Sequence, residues 1–136
     1  IEESVGMSIT EIFKKKGEVY FRNIEEKITL KFLKKTKNVI SLGGGGFINA
    51  KVRKEILLNH FSFWLNWDES TLIKRIKNSK KRPIAFKLTN NELIDLIKKR
   101  SNIYSKAMYK IDCDNRRKNE IVNEILDIYE TNKINS

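Results

Sequence analysis

Gly43 to Gly46 stand in a row directly behind the apolar run Asn38-Val39-Ile40-Ser41-Leu42. A short run with β-branched residues that stops at glycine reads as a buried strand opening into a loop. Glycine loses more backbone freedom on folding than any other residue, so four together imply a task that side chains would obstruct. Without Cβ atoms the loop offers N–H groups, and successive N–H groups make a concavity for carboxylate or phosphate oxygens. A merely flexible turn is the alternative; the position behind a strand favours ligand contact.

At 136 residues the chain is long enough for one core but not two, which predicts a single domain over 1–136. Its formal charge of +11 favours anionic partners. Much of that excess is lysine scattered beside Ile and Asn through every segment, a compositional bias rather than a patch, and it is discounted accordingly. The single cysteine, Cys113, forms no internal disulfide and no cysteine metal cluster, which fits a reducing compartment. The single histidine, His60, has no partner motif and reads as structural. No apolar stretch reaches a membrane span and no basic-then-apolar leader opens the sequence, so a soluble, cytoplasmic protein is expected.

Along the chain, helical and strand patterns alternate. Ser8 to Lys16 carries Ile9, Ile12 and Phe13 at helical spacing, with Ser8 as N-cap, Glu11 at the capping-box position and Gly17 closing it. Glu18 to Lys35 continues as a longer helix with Phe21, Ile24, Ile28 and Phe32 on one face. Three strands are expected, at Asn38–Leu42, Phe61–Trp67 and Tyr109–Asp112. Helices are expected at Ala50–Asn59, Asp68–Ile76, Asn91–Ala107 and Asn119–Tyr129, with a basic, proline-containing loop at 77–87. This alternation predicts an α/β fold with a parallel sheet.

The residues also carry a resemblance. Ile1-Glu2-Glu3-x-x-Gly6-x-Ser8-Ile9-x-Glu11-Ile12-Phe13-x-x-x-Gly17-Glu18-x-x-Phe21-Arg22-x-x-Glu25, then Ile40-Ser41-Leu42-Gly43-Gly44-Gly45, then Lys81-Arg82-Pro83, then Arg100-x-x-x-Tyr104, in register, resemble shikimate kinase. The resemblance covers nearly the whole chain and implies a three-layer P-loop kinase fold whose central parallel sheet has five strands in the family. Family members begin with a strand, a GxxGxGK[ST] P-loop, a helix and a strand ending in Asp-x-Asp. The present sequence starts just after that motif, as if roughly thirty residues, the length of one βα unit, preceded it. The resemblance therefore implies that residues 1–136 alone are inactive, since the phosphate-binding lysine, the Mg²⁺-binding hydroxyl and the carboxylate that activates the acceptor belong to that segment.

Carried over residue by residue, the resemblance implies acceptor-binding helices over 5–36 and a lid over 77–87. Arg22 would hold the shikimate carboxylate through its two-pronged guanidinium, and Glu25, one turn on, would orient Arg22. Gly43, Gly44 and Gly45 would lie against the substrate, Arg100 would add a second positive charge, and Phe13 with Phe21 would wall the ring. Arg82 would close over ATP and stabilise charge on the transferring phosphoryl group, while Arg75 and Arg117 would pack around adenine. ATP and Mg²⁺ are implied, with no metal ligand in these residues, as is a monomeric full-length enzyme that passes the ATP γ-phosphate to the 3-hydroxyl of shikimate in the chorismate route to aromatic amino acids. Two departures stand out: Gly46 replaces the small residue, often alanine, that follows the three glycines, and Asn119 stands where some members carry proline beside adenine.

Duller readings accompany these. Arg22 with Glu25 could be an ordinary helix-surface pair, residues 77–87 a solvated basic loop, Arg100 and Arg75 polar-face residues, and the aromatic pair simple core. A gluconate kinase-like or other small-metabolite kinase is the alternative enzyme, and a non-catalytic remnant a further one. A basic nucleic-acid-binding module fits the charge but not the aromatics, which follow core periodicity instead of an exposed platform. Neither nucleic acid nor membrane is an expected partner.

Overall fold

The computed structural model describes residues 1–35, 37–78 and 88–133, the Lys133 side chain excepted. They fall into two compact units, Ile1–His60 and Phe61–Ser136.

The first unit is helical. After a single turn, α1 (Glu2–Val5), that ends on Gly6 in the left-handed region, α2 runs from Ile9 to Leu33. Its start is fixed as the sequence predicts: Ser8 Oγ accepts from the Glu11 N–H at 3.2 Å, and the Glu11 carboxylate accepts from the Ser8 N–H at 3.0 Å. Gly17 does not end the helix but interrupts it, with φ 81° and ψ 172°, a conformation open only to glycine. Ile12, Phe21 and Leu33 are its buried residues.

The segment Asn38–Leu42 is not a strand. It is extended without a ladder, and Val39 is fully exposed. A strand exists only through a hydrogen-bonded neighbour, and among the described residues these five find none. The glycines then turn the chain: the Gly46 N–H donates to Gly43 O at 2.9 Å and the Ile48 N–H to Gly45 O at 3.1 Å, forming a 3-10 turn over Gly46–Ile48. Asn49 caps α3 (Ala50–Asn59), its Oδ1 accepting from the N–H groups of Lys51 and Val52 at 2.9 and 3.0 Å.

The second unit is a parallel two-stranded sheet with helices. β1 (Phe63–Asn66) pairs with β2 (Tyr109–Asp112), Phe63 opposite Tyr109 and Asn66 opposite Asp112. The predicted strand Phe61–Trp67 shrinks because its partner offers only four residues; Ser62 and Asn66 add flanking bonds to Tyr109 and Cys113. Between the strands lie α4 (Glu69–Lys77) and α5 (Asn90–Tyr104), the helical crossover that a parallel pair requires. Asp68 caps α4, and the Thr71 N–H, then the Ser70 hydroxyl, hold its carboxyl down to about 2. Thr89 and Glu92 form a second capping box at the head of α5. α6 (Lys118–Lys133) covers the sheet, where Ile111, Cys113 and Ile121 are buried against Phe63, Trp67, Ile125 and Ile128. Cys113 is a core residue: burial pushes its thiol up from its ordinary value. Among the described residues two strands form, where three were expected, and no helix is long and apolar enough to cross a membrane.

Candidate active site

The break at Gly17 lets the two halves of α2 present aromatics to each other. Phe13 precedes the break and Phe21 follows it, and their rings meet at 4.7 Å between centroids, inclined by 39°. Phe21 is buried, and the guanidinium carbon of Arg22 lies 5.2 Å from its ring centre. The predicted wall and the predicted anion-binding arginine are therefore adjacent.

Arg22 is held from two sides. Its Nη1 donates to Glu25 Oε2 at 2.6 Å, and its Nε and Nη2 both reach Glu18 Oε1, at 3.3 and 3.2 Å. These carboxylates differ in kind: the Glu25 side chain is 13% exposed, that of Glu18 55%. The inner pair fixes the guanidinium, while the outer one lies where solvent competes with it. The i, i+4 relation of Glu18 to Arg22 on one helix is a signal of this second contact that the sequence itself carries.

The glycine turn meets this cation directly. A Cβ built on Gly45 would lie 2.1 Å from Arg22 Nη1 and 2.7 Å from Cζ, inside van der Waals contact. One on Gly43 would stand 3.6 Å from Glu25 Oε1. Gly45 is thus glycine because the guanidinium occupies the place of its side chain. Gly43 and Gly44 are exposed on the turn. Behind it, Glu26 Oε2 accepts from Asn49 Nδ2 at 2.7 Å and its Oε1 from Lys51 Nζ at 3.1 Å; the Asn49 amide, then Lys51, lowers the Glu26 carboxyl below its usual range. Adjacent residues of α2 therefore serve two tasks, Glu25 on Arg22 and Glu26 on the cap of α3.

In the second unit Arg75 stacks on Trp67, its guanidinium carbon 3.7 Å from the ring centre. The pair borders a cavity of about 460 Å³ with Lys118, Leu65, Ile121 and Ile125 among its lining. Arg117 directly precedes α6, and its N–H donates to Glu120 Oε2 at 2.5 Å. Arg100 is half-buried on α5. Arg82 lies outside the described residues, as does most of the 77–87 loop. Among the described residues no cluster of His, Cys, Asp or Glu could hold a metal ion, and residues 1–136 contain no GxxGxGK[ST] segment.

A cation locked beside an apolar wall and a side-chain-free turn suits a small carboxylate ligand. The family model described as shikimate kinase matches residues 1–130. A shikimate kinase of Bartonella henselae is 33% identical over 127 residues, a match that covers 93% of this chain and 60% of that protein. The chain thus spans less than two thirds of that relative. The crystal structure of the Aquifex aeolicus shikimate kinase superposes with a TM-score of 0.85 at 32% identity, over 99% of this chain and 79% of that one. The Acinetobacter baumannii shikimate kinase in complex with shikimate gives 0.87 at 27% identity, over 97% and 75%. The α/β architecture with its parallel strands is accordingly that of the P-loop kinases, and the chain belongs to the shikimate kinase family.

Proposed function

We propose that this chain carries the acceptor-binding part of a shikimate kinase, in which ATP gives its γ-phosphate to the 3-hydroxyl of shikimate. The observation that carries the reading is the locked Arg22: a guanidinium fixed by Glu25, pressed against a residue without a side chain and set against Phe21, whose ring meets that of Phe13. A planar carboxylate matches the guanidinium, and a partly saturated ring matches the aromatic wall. Peptide groups of Gly43, Gly44 and Gly45 contact the acceptor, Arg100 adds a second charge to its carboxylate, and both units form one kinase domain over residues 1–136.

The nucleotide side rests on Arg75 and Arg117, which take the adenine; the Arg75–Trp67 stack and the adjoining cavity support this assignment. Arg82 is the lid cation that neutralises charge on the phosphoryl group in flight. Mg²⁺ accompanies ATP, and the enzyme works as a cytoplasmic monomer.

The test is shikimate-dependent ADP release by protein expressed from its complete reading frame, with gluconate as the competing acceptor. Turnover on the order of 1 to 100 per second with shikimate, and none with gluconate, is the expected result. Preference for gluconate, or the absence of turnover with either, overturns it.

A further inference from the structure

Arg53 lies outside everything assigned above, yet it is the side chain that fixes the glycine turn. Its Nη1 donates to Phe47 O at 3.1 Å and to Ile48 O at 2.8 Å. A three-residue 3-10 turn cannot satisfy its own last carbonyls, and Phe47 is buried, away from water that could do so. A guanidinium reaching back from the first turn of α3 supplies both bonds. Among the described residues Arg53 has no carboxylate partner, so its charge is spent on these two oxygens.

The turn so held is continuous with the acceptor-facing glycines. Gly46 and Ile48, which frame Phe47, donate to Gly43 O and Gly45 O. The peptide that carries the Phe47 carbonyl also carries the Ile48 N–H, so moving it shifts Gly45 O and, through the Gly46 N–H on the same peptide as that oxygen, Gly43 O. The clearance is small, since Gly45 already sits where any Cβ would strike Arg22. The Glu26–Asn49 bond ties the far end of the same turn to α2, one residue beyond Glu25. Two clamps thus set one distance, between the glycine peptides and the Arg22 guanidinium.

We propose that Arg53 is a positioning residue for the acceptor: acting through the carbonyls of Phe47 and Ile48, it holds the Gly43–Gly45 peptides at the spacing from Arg22 that a small carboxylate needs. The inference rests on the acceptor-site reading of Arg22 and the glycines. It assigns Arg53 an effect on acceptor binding, and none on nucleotide binding.

The experiment compares wild type, Arg53→Ala and Arg53→Lys, each expressed from the complete reading frame, by steady-state kinetics, thermal melting and amide hydrogen exchange. In Arg53→Ala the KM for shikimate rises about tenfold, kcat changes less than about threefold and the KM for ATP holds, because misplacement affects a bound acceptor while the phosphoryl machinery is untouched. Arg53→Lys, which can reach one carbonyl, falls between the two, and it carries the test should Arg53→Ala fail to fold. The Gly46 and Ile48 amides exchange faster in the Ala variant, while those in the middle of α3 keep wild-type rates. An unchanged KM for shikimate with unchanged exchange at Gly46 and Ile48 overturns the proposal, as does an equal loss of protection along all of α3. Should the wild type not act on shikimate, the acceptor-site reading fails by itself. The exchange arm then still decides whether Arg53 holds the turn.

Discussion

At the residue scale the site turns on two unequal carboxylates around one arginine. Glu25, largely shielded, gives Arg22 its position, whereas Glu18 is half in water and its bond is screened. Glu25→Gln is expected to weaken shikimate binding clearly and Glu18→Gln hardly at all, by titration calorimetry on the full-length protein; equal effects would mean that Glu25 does not orient the cation. Arg22→Ala should cost about 2 to 5 kcal/mol of binding, the size of a truncated buried charge-assisted pair. Gly45→Ala should weaken binding less than Arg22→Ala but measurably, since its methyl group falls on the guanidinium and pushes it off Glu25. An alanine variant with wild-type affinity would show that Arg22 can move freely. Spacing alone showed that Arg22 and Glu25 share a helix face; the roles proposed for them come from the resemblance to shikimate kinase. The mutual exclusion at the turn, a side chain missing at Gly45 because Arg22 fills the space, was not legible in the sequence, since Gly45 and Arg22 are brought together only by folding.

At the scale of elements, caps were the readable feature and pairing the unreadable one. Ser8 with Glu11 sets the start of α2 through bonds between residues three apart, which a linear sequence displays directly. The same logic holds at Thr89 and Glu92, whose capping box starts α5 at Asn90, one residue before the expected Asn91. Asn38–Leu42 shows the opposite case: β-branched composition describes a residue that suits a sheet, but only a neighbour makes the strand. Gly17 read as a terminator and acts as a break within α2 that brings Phe13 onto Phe21. Gly17→Ala is therefore expected to destabilise the protein by about 1 to 3 kcal/mol, from the φ it must adopt and not from any clash, since a Cβ there would meet open space. Denaturant titration would measure it, and a neutral result would mean that α2 can straighten at no cost.

At the scale of the whole molecule, surface carboxylates held in their ionised form make stability depend on pH. Backbone N–H groups lower the Asp68, Glu11 and Glu92 carboxyls from their ordinary values of 3.8 to 4.5, the Asn49 amide lowers Glu26, and the Asn66 amide lowers Asp112. Each binds its proton less readily folded than unfolded, so the stabilisation is complete above the ordinary values and is lost as pH falls through the folded ones. The melting temperature should hold above about pH 5 and fall steadily toward about pH 2, and Asp68→Asn should lower the neutral value while flattening that fall. A melting temperature that stays level into acid would remove these caps from the stability of the fold. The sequence by itself determined the α/β class, the Ser8 start of α2 and the presence of a glycine turn, because each depends on neighbours within a turn or on residue chemistry. Only the tertiary structure decided which strands pair and that Gly45 abuts the Arg22 guanidinium, because those depend on which distant groups folding brings together.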